Sequence, residues 1–396
     1  MKSPPQVVRA AKAPVAAAPG VAEFAARYDR VALVLQGGGA LGAYQVGVYQ
    51  ALSEAGCEPS WISGVSIGAI NAALIAGNAP DKRIEKLDAF WSLMASRPGL
   101  SGWPDMAQGD GLREWSNLGS AWTTMLLGQP GFFKPRALVP WLQPPGSAGA
   151  TSYYDSSELH DTLKSLVDFK LLNACDKRVS VGAVNVRTGN NVFFDTHRQH
   201  IGPEHIMASG ALPPALPMVK IEGQSYWDGG IVSNTPLQYL LDQDEDLSSL
   251  VFQVDLFNAR GPVPRKMSEV ATRQKDITYS SRTRQSTDAF KRTLSLRAKL
   301  LDALKRVPPE QLRAGEAELI EDYGKAGVVN ILHLIFQARS YEGDAKDYEF
   351  SAASMREHRQ AGYDDTVRTL RHREWLELPD ARLGIAVHDI HREDAG

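Results

Sequence analysis

The stretch WISGVSIGAINAALIAGN, residues 61–78, places Ser66 between Gly64 and Gly68, where an apolar run passes into a segment with helical character. A strand that enters a helix through so tight a turn leaves the serine hydroxyl projecting at the helix N-terminus, which is the geometry of a nucleophile elbow. A simple turn with Ser66 as the helix N-cap explains the same residues. This stretch alone therefore leaves a catalytic and a structural interpretation open.

A second strand-to-helix junction lies just upstream. VALVLQ (31–36) is a β-rich run that ends at GGGALG (37–42), and helical spacing follows over residues 43–55. Together with residues 61–78 this gives a β-α-β-α start, which is typical of a parallel sheet covered by helices. We therefore predict an α/β fold.

The remaining elements are predicted from periodicity and turn residues. They are helices over 81–96, 156–168 and 354–372, a hairpin over 178–196 that turns at 188–190, and buried strands over 248–257 and 328–337. Residues 97–154 are rich in Gly, Pro and aromatic residues. We predict a lid or binding loop there, and a helical insert explains the segment equally well.

Composition narrows the class of protein. The 396 residues are 43% hydrophobic and carry a net charge of −3, which argues against a nucleic-acid partner. Charge is unevenly spread, because residues 265–306 contain twelve Lys or Arg against four Asp or Glu. The two cysteines, Cys57 and Cys175, have no metal-type spacing, so we expect neither a disulfide framework nor a metal site.

The N-terminal residues do not resemble a secretory signal. Arg9 and Lys12 interrupt an Ala- and Pro-rich segment before an apolar core can form. We predict a flexible tail over residues 1–28 and a cytoplasmic protein.

The glycine cluster GGGALG presents several backbone N–H groups at a helix N-terminus, where they can bind a phosphate or a developing oxyanion. Gly37, Gly39 and Gly42 also fit the dinucleotide pattern G-x-G-x-x-G. That pattern requires an acidic residue at the end of the next strand, whereas Glu58 precedes that strand. The oxyanion interpretation is therefore favoured, and we expect no cofactor.

A nucleophilic serine needs a base, and YWDGGIVSNTP (226–236) supplies a candidate in Asp228. Burial beside apolar side chains would raise the pKa of this carboxyl toward the range of a general base. An Asx-type turn is the structural alternative. None of the histidines has the sequence context of a triad histidine, and this includes His197, His200, His205 and His333.

Four segments together resemble the patatin-like phospholipase family over about residues 30–260. They are LVLQGGGALGAYQVGVYQAL, GVSIGAINAALIAG, ASGALPPALP and WDGGIVSNTPL, in that order. The resemblance implies a three-layer α/β/α acyl hydrolase with a mostly parallel central sheet and a serine–aspartate dyad. It implies that Ser66 is the nucleophile, that Asp228 is the base, and that the N–H groups of Gly37, Gly38 and Gly39 form the oxyanion hole. The further motif glycines are Gly42, Gly64, Gly68, Gly229 and Gly230.

One position departs from the family pattern, because Leu41 stands where the glycine motif usually has Arg or Lys. This weakens the implication of a phospholipid substrate and leaves ester hydrolysis intact. The residues beyond 265 look like the extension of a bacterial subgroup. We predict a catalytic domain over 29–262, with 97–154 as its lid or insert, and a mainly helical extension over 263–396 packed on the core.

The leading hypothesis is a serine acyl hydrolase that cleaves lipid-like carboxylic esters through an acyl-enzyme. A thioesterase or a hydroxyacyl-oligomer esterase would use the same dyad. A non-catalytic membrane-surface or regulatory module is the third hypothesis. It depends on residues 288–307, where an apolar stripe lies among basic residues, as in a helix at the surface of an anionic inner membrane. An ordinary packed helix fits the stripe as well, and its members are Phe290, Leu294, Leu301 and Leu304.

Overall fold

A computed structural model describes residues 20–96, 119–120, 123–174, 176–243, 246–323, 327–339, 341–343, 345–380 and 384–393. The strands are β1 (Arg30–Leu35), β2 (Trp61–Val65), β3 (Lys134–Pro135), β4 (Tyr154–Asp155), β5 (Arg178–Asn185), β6 (Asn191–Asp195), β7 (Val219–Ile221), β8 (Gln224–Asp228), β9 (Ser249–Asp255), β10 (Val329–Ile335) and β11 (Ile385–His388). The α-helices are α1 (Val21–Ala25), α2 (Ala43–Glu54), α3 (Ile67–Ala76), α4 (Arg83–Ala95), α5 (Ser157–Leu166), α6 (Phe169–Asn173), α7 (Pro203–Ser209), α8 (Leu237–Leu241), α9 (Met267–Tyr279), α10 (Thr283–Leu304), α11 (Ala314–Tyr323), α12 (Ala352–Arg371) and α13 (Ile390–Glu393).

Nine of the described strands form one sheet in the order β11-β10-β9-β1-β2-β5-β8-β7, and β6 pairs with β5 beside that path. The strands from β11 to β5 in this order are parallel to one another, while β6 and β8 run antiparallel to β5. The predicted α/β fold with a mostly parallel sheet is confirmed.

Alternation along β1 separates two faces of this sheet. Leu33 and Leu35 belong to a core cluster that includes apolar residues of α2, α3, α4 and α12. Ala32 and Val34 belong to a second cluster with leucines of α8, against which Phe290 of α10 packs. Because successive side chains of a strand point to opposite faces, the sheet lies between two helical layers.

The two junctions predicted from local pattern are confirmed. β1 leads through the glycine cluster into α2, and β2 leads through Ser66 into α3. The predicted hairpin is formed by β5 and β6, and β9 and β10 fall within the two predicted buried strands. In all these segments the apolar pattern and the flanking turn residues agree with the buried environment that the fold supplies.

The start of the described chain differs from the predicted tail over 1–28. Residues 1–19 lie outside the described residues, but from residue 20 onward the chain is packed. Val21 and Ala25 of α1 are buried, and the Tyr28 hydroxyl donates a hydrogen bond of 2.8 Å to the Glu377 carbonyl. These partners lie some 350 residues away in the chain, so no local pattern indicates that this segment is ordered.

The residues beyond 262 contribute to the sheet as well as to its helical layers. β10 and β11 continue the parallel sheet beyond β9, and α12 packs along α2. The Tyr44 hydroxyl of α2 donates a hydrogen bond of 2.8 Å to the Asp365 carboxylate of α12. The boundary at 262/263 and a lid role for 97–154 remain predictions, and residues 97–118 and 121–122 of that segment lie outside the described residues.

The helix predicted over 288–307 coincides with α10 up to Leu304, where α10 ends. Leu294 is buried and Phe290 packs on the second core cluster, whereas Leu296 and Leu300 are exposed. The apolar stripe therefore contacts the protein, as the packed-helix alternative expects. No helix in the described part of the chain is long and apolar enough to cross a membrane.

Candidate active site

Ser66 occupies a strained turn between β2 and α3. Its backbone has φ 55° and ψ −124°, a conformation that side-chain-bearing residues adopt rarely and at a cost of about 1–3 kcal/mol. The Ser66 N–H holds this conformation by donating to both the carbonyl and the hydroxyl oxygen of Ser209, each at 3.1 Å. Position 68 requires glycine, because a Cβ there would lie 2.3 Å from the Leu35 carbonyl oxygen of the neighbouring strand. The turn is therefore built to aim the Ser66 side chain away from the sheet.

Asp228 ends β8, and the sheet brings it beside the serine. β8 pairs with β5 at Ala183, and β5 in turn pairs with β2, the strand that precedes Ser66. Asp228 is 2% exposed, and its carboxylate accepts a hydrogen bond from the Gly230 N–H at 2.7 Å. Burial raises the pKa of Asp228 to about 7, although interactions with the Gly230 N–H and the Ser66 side chain act to lower it. A carboxylate with this pKa is suited to accept a proton at neutral pH.

The glycine cluster forms the opposite wall of the site. The Gly37 N–H donates to the Asn234 carbonyl at 3.2 Å, and the Asn234 side-chain amide donates to the Gly37 carbonyl at 3.0 Å. The N–H groups of Gly38 and Gly39 have no acceptor among the described residues, and both glycines line the cavity that contains Ser66. Two N–H donors are thus free to bind an oxyanion, while the third is engaged in holding the loop.

Gly39 is the point at which the glycine cluster contacts the C-terminal part of the chain. Its φ is +55°, and a Cβ at this position would lie 2.3 Å from the Asp347 carbonyl oxygen. The 3₁₀ turn Lys346–Tyr348 therefore packs directly against the glycine cluster. Any larger residue at position 39 would have to displace this turn.

A cavity of about 110 Å³ lies above Ser66 and Asp228. Its lining is mostly apolar and aromatic, and it comes from both halves of the chain. The residues are Gly37, Gly38, Gly39, Ser66, Ile67, Phe132, Phe133, Tyr154, Gly210, Leu212, Ala215, Leu216, Asp228, Gly230, Asn234, Phe257, Tyr279, Asp347, Tyr348 and Phe350. Asp228 and Asp347 are the charged members of this described lining, and Asp347 pairs with Lys275 at 2.7 Å. The described lining is thus largely apolar, and the Asp228 carboxylate and the backbone of the glycine cluster are among its polar groups.

Sequence reasoning missed several of these residues. Ser209 and Asn234 lie inside two of the quoted motifs, so the motifs contained the signal without indicating the roles. Tyr279, Tyr348 and Phe350 lie in the segment beyond 262, and no sequence pattern connects them with the serine. They lie near the serine because the sheet brings the segment beyond 262 and the catalytic motifs together in space.

His197, His200, His205 and His333 lie outside the Ser66 cavity. His197 and His200 are exposed, and His205 is buried, with its Nδ1 accepting from the Gly202 N–H at 2.9 Å. Burial lowers the pKa of His205. His333 is buried on β10, and its Nε2 lies 2.6 Å from the Asp255 carboxylate. Among the described residues that line the Ser66 cavity there is no histidine.

Other groups with reactive or metal-binding potential are placed as follows. Cys57 is a free, buried cysteine whose thiol pKa is raised to about 12 by burial, and Cys175 lies outside the described residues. No group of three or more His, Cys, Asp or Glu suited to hold a metal ion occurs in the part of the chain that the structure describes. Leu41, the departure from the family pattern, is fully buried and does not line the cavity.

The sheet order and the serine turn define an α/β protein whose candidate site lies at the carboxyl ends of parallel strands. The chain belongs to the patatin-like phospholipase family, because the model of that family matches residues 33–241. A second model, described as patatin phospholipase, matches residues 277–382.

Two similarities to individual proteins are more limited. Lysophospholipase nte1 of Aspergillus terreus (strain NIH 2624 / FGSC A1156) is 59% identical over 49 residues, which are 12% of this chain and 3% of the length of that relative. The crystal structure of VipD from Legionella pneumophila aligns with 87% of this chain and 67% of that chain, at 18% identity and a TM-score of 0.37. The first similarity is local, and the second is distant.

Proposed function

We propose that this protein is a serine acyl hydrolase that cleaves lipid-like carboxylic esters, with Ser66 as nucleophile and Asp228 as general base. The observation that carries the proposal is a buried carboxylate whose pKa is raised to about 7, which lines the same cavity as Ser66 and interacts with its side chain. A serine hydroxyl is a weak nucleophile until a base accepts its proton. No histidine is among the described residues that line this cavity, so the proposed dyad uses no imidazole.

The proposed reaction has two halves. Asp228 accepts the Ser66 proton as Oγ attacks the ester carbonyl, and the proton is then delivered to the leaving alcohol. The N–H groups of Gly38 and Gly39 stabilise the negative charge on the carbonyl oxygen. Water then attacks the acyl-enzyme carbonyl while Asp228 accepts its proton. Asp228 returns that proton to Ser66 Oγ as the acyl–serine bond breaks and the carboxylic acid is released. We assign Gly37 to the support of this loop, since its N–H donates to Asn234.

The cavity supports an apolar acyl group as the part of the substrate that is bound. Phe132, Phe133, Tyr348 and Phe350 line it, and no Lys or Arg is found among the described lining residues. The described part of the lining thus offers no cation to a phosphate group. We therefore place neutral lipid esters ahead of phospholipids as substrates.

Exposed apolar side chains near the cavity support a lipid-like substrate as well. Trp141 is 73% exposed and contacts the Tyr153 ring edge to face at 6.0 Å. The Tyr153 N–H donates to the Pro214 carbonyl at 3.2 Å, and its neighbour Tyr154 lines the cavity. Aromatic residues in such a position are suited to the boundary between water and lipid.

Fluorophosphonate labelling tests the proposal. The folded wild-type chain should be labelled at a single serine, and Ser66→Ala should abolish both labelling and ester hydrolysis. The exposed Ser165, changed to Ala, is the matched control and should leave both unchanged. A folded wild-type chain that resists labelling and hydrolyses no ester would leave the non-catalytic hypothesis as the better one.

A substrate panel separates the ester classes that share this chemistry. It comprises nitrophenyl esters of increasing acyl length, a monoacylglycerol, a phospholipid in vesicles, an acyl thioester and a hydroxyacyl oligomer. We expect the monoacylglycerol to have a higher kcat/KM than the phospholipid, because the cavity lining lacks a cation. The reverse order would contradict the assignment to neutral esters while leaving the dyad intact.

A further inference from the structure

The helix α9 ends at the candidate active site and is joined to it by polar contacts. Its last residue, Tyr279, lines the Ser66 cavity. The Tyr279 carbonyl accepts hydrogen bonds from the side-chain amides of Gln36 at 3.0 Å and of Asn234 at 2.9 Å. Because Asn234 also holds the loop at Gly37, the end of α9 is fixed beside the glycine cluster.

The charged side chains of α9 are directed toward the protein, where each is partly buried. Lys275 Nζ lies 2.7 Å from Asp347 Oδ1, and Asp276 Oδ1 lies 2.7 Å from Lys346 Nζ. These two ion pairs attach the helix to the turn that packs on the glycine cluster. The other two charged residues of the helix also have hydrogen-bond partners within the chain, and they are Glu269 and Arg273.

The opposite face of α9 is largely apolar. The structure describes every residue of this helix, and the exposed ones carry no charge. They are Met267, Ser268, Val270, Ala271, Gln274, Ile277 and Thr278. A surface helix normally turns its apolar side chains to the core and its charges to water, so α9 has the reverse arrangement. Apolar area exposed to water is unfavourable, and a contiguous patch of it marks an interaction surface.

Two further exposed apolar segments adjoin the same cavity. Trp141 belongs to residues 137–154, a stretch without a charged residue that ends at the cavity-lining Tyr154. Ile231 is exposed directly after Gly230, which also lines the cavity. We name the exposed face of α9, together with Trp141 and Ile231, the apolar rim. Its three parts come from separate segments of the chain, and each lies within a few residues or one short stretch of the cavity lining.

We propose that the apolar rim docks on the uncharged surface of a lipid aggregate and brings the Ser66 cavity against it. This deepens the proposed function, on which it rests for the identity of the substrate, by assigning an aggregated lipid ester rather than a dissolved one. Lipid is assigned as the occupant because every part of the rim adjoins the cavity lining, so an acyl chain can pass from the aggregate to Ser66 without crossing water. A protein bound to the same surface would instead cover the approach to the cavity.

Charge distinguishes a neutral lipid surface from an anionic one. The rim itself is uncharged, whereas Arg265 and Lys266 are exposed just before α9. Docking through the rim depends on apolar contact and is insensitive to salt. Docking through the two basic residues would weaken as salt screens their charges.

Co-sedimentation with vesicles tests the rim on the Ser66→Ala chain, which cannot hydrolyse the lipid. The probes are vesicles of phosphatidylcholine and of phosphatidylglycerol in about 0.1 M and about 1 M sodium chloride, between which the screening length falls from about 10 Å to about 3 Å. We expect binding to phosphatidylcholine, with a partition coefficient that falls by less than about twofold as salt rises. A chain that does not bind phosphatidylcholine, or that binds phosphatidylglycerol alone and only at low salt, would overturn the proposal.

A paired variant connects binding with α9. Val270→Ser and Ile277→Ser in one chain change side chains that are 42% and 57% exposed, so we expect the partition coefficient to fall about tenfold. Light scattering on the same chains tests a protein partner of the simplest kind. A dimer that this paired variant converts to monomers would assign the face to a second copy of the chain and overturn the proposal.

The matched control changes two exposed leucines of α10 that lie away from the cavity. Leu296→Ser and Leu300→Ser alter side chains that are 68% and 49% exposed. A Cβ at Gly384, just before β11, would lie 2.4 Å from Leu294, so this part of α10 lies near an amino end of the sheet, whereas Ser66 lies at a carboxyl end. This control should leave the partition coefficient unchanged. An equal loss in the control would mean that exposed apolar side chains anywhere on the chain cause the binding, and the rim would be refuted.

Hydrolysis of dissolved nitrophenyl acetate separates the rim from the proposed function. With Ser66 present, the chain carrying Val270→Ser and Ile277→Ser should keep the kcat/KM of the wild type for this ester, because neither side chain is among the described residues that line the cavity. Its activity on a monoacylglycerol dispersed in phosphatidylcholine should fall with the binding. A chain that binds phosphatidylcholine through α9 but hydrolyses neither ester would support the rim and contradict the proposed function.

Discussion

Replacing Asp228 by Asn should abolish hydrolysis and at the same time stabilise the protein at neutral and alkaline pH. The amide keeps the shape of the side chain and can still accept from the Gly230 N–H, but it cannot take the Ser66 proton. It also carries no charge, so it avoids the desolvation that raises the pKa of the wild-type carboxyl.

The magnitude follows from the pKa of Asp228, which moves from 3.8 to about 7 on folding. Because the folded pKa is the higher one, the folded state binds the proton more tightly, and folding loses stability as pH rises from 3.8 to 7. Each pKa unit corresponds to about 1.4 kcal/mol, so the ionised carboxylate lowers the unfolding free energy by about 4 kcal/mol above pH 7. Near pH 5 the same calculation gives about 2 kcal/mol, and below the unfolded pKa the effect vanishes.

Urea unfolding followed by tryptophan fluorescence, at pH 5 and pH 8, measures this difference. The gain of Asp228→Asn over the wild type should be larger at pH 8 by about 2 kcal/mol. Asp161→Asn is the matched control, because its side chain is 89% exposed, and it should show no such gain. If the wild type and Asp228→Asn change in stability identically between the two pH values, the carboxylate is not destabilised by burial, and the basis for its role as a base is lost.

Three other outcomes are expected at the same site. The kcat/KM of the wild type should fall below an apparent pKa near 7, about tenfold per pH unit, because the buried carboxylate must be ionised, and a profile that stays flat down to pH 5 would contradict this. Ser209→Ala removes one acceptor of the Ser66 N–H but keeps the Ser209 carbonyl, so kcat should fall about tenfold with little change in KM, whereas an unchanged kcat would mean that the carbonyl alone holds the turn. Gly39→Ala should lower the unfolding free energy by more than Gly146→Ala, since both glycines have positive φ but only the first would clash, with the Asp347 carbonyl, and thermal unfolding of the pair measures the difference.

The parts of the fold that local pattern predicts are the ones where a few neighbouring residues specify the backbone. Gly64 and Gly68 flank Ser66 within one turn, and the Gly229–Gly230 pair follows Asp228 directly. Apolar alternation and turn residues are sufficient to predict β1, β2 and the hairpin of β5 and β6. At these positions the sequence signal and the structural requirement lie within about ten residues of each other.

The parts that could not be predicted depend on contacts between distant segments. The Gly37 N–H was expected to face the substrate, but its acceptor is the carbonyl of Asn234, which lies 197 residues away. His333 is a core histidine that pairs with the buried Asp255 on the next strand of the sheet, and no local pattern indicates that partner. Such pairings become visible only when the strand order is known, because periodicity carries no information about which strands are neighbours.

The turn Lys346–Tyr348 contacts Gly39, and Tyr348 and Phe350 line the cavity above Ser66. These residues are translated more than a hundred codons after Asp228. At typical elongation rates this is a delay on the order of ten seconds. A nascent chain therefore possesses its serine and its carboxylate long before it possesses the walls that bind an acyl group. We expect ribosome-stalled chains that end near residue 300 to resist fluorophosphonate labelling, so that hydrolytic activity first arises after Tyr348 and Phe350 have been added to the chain.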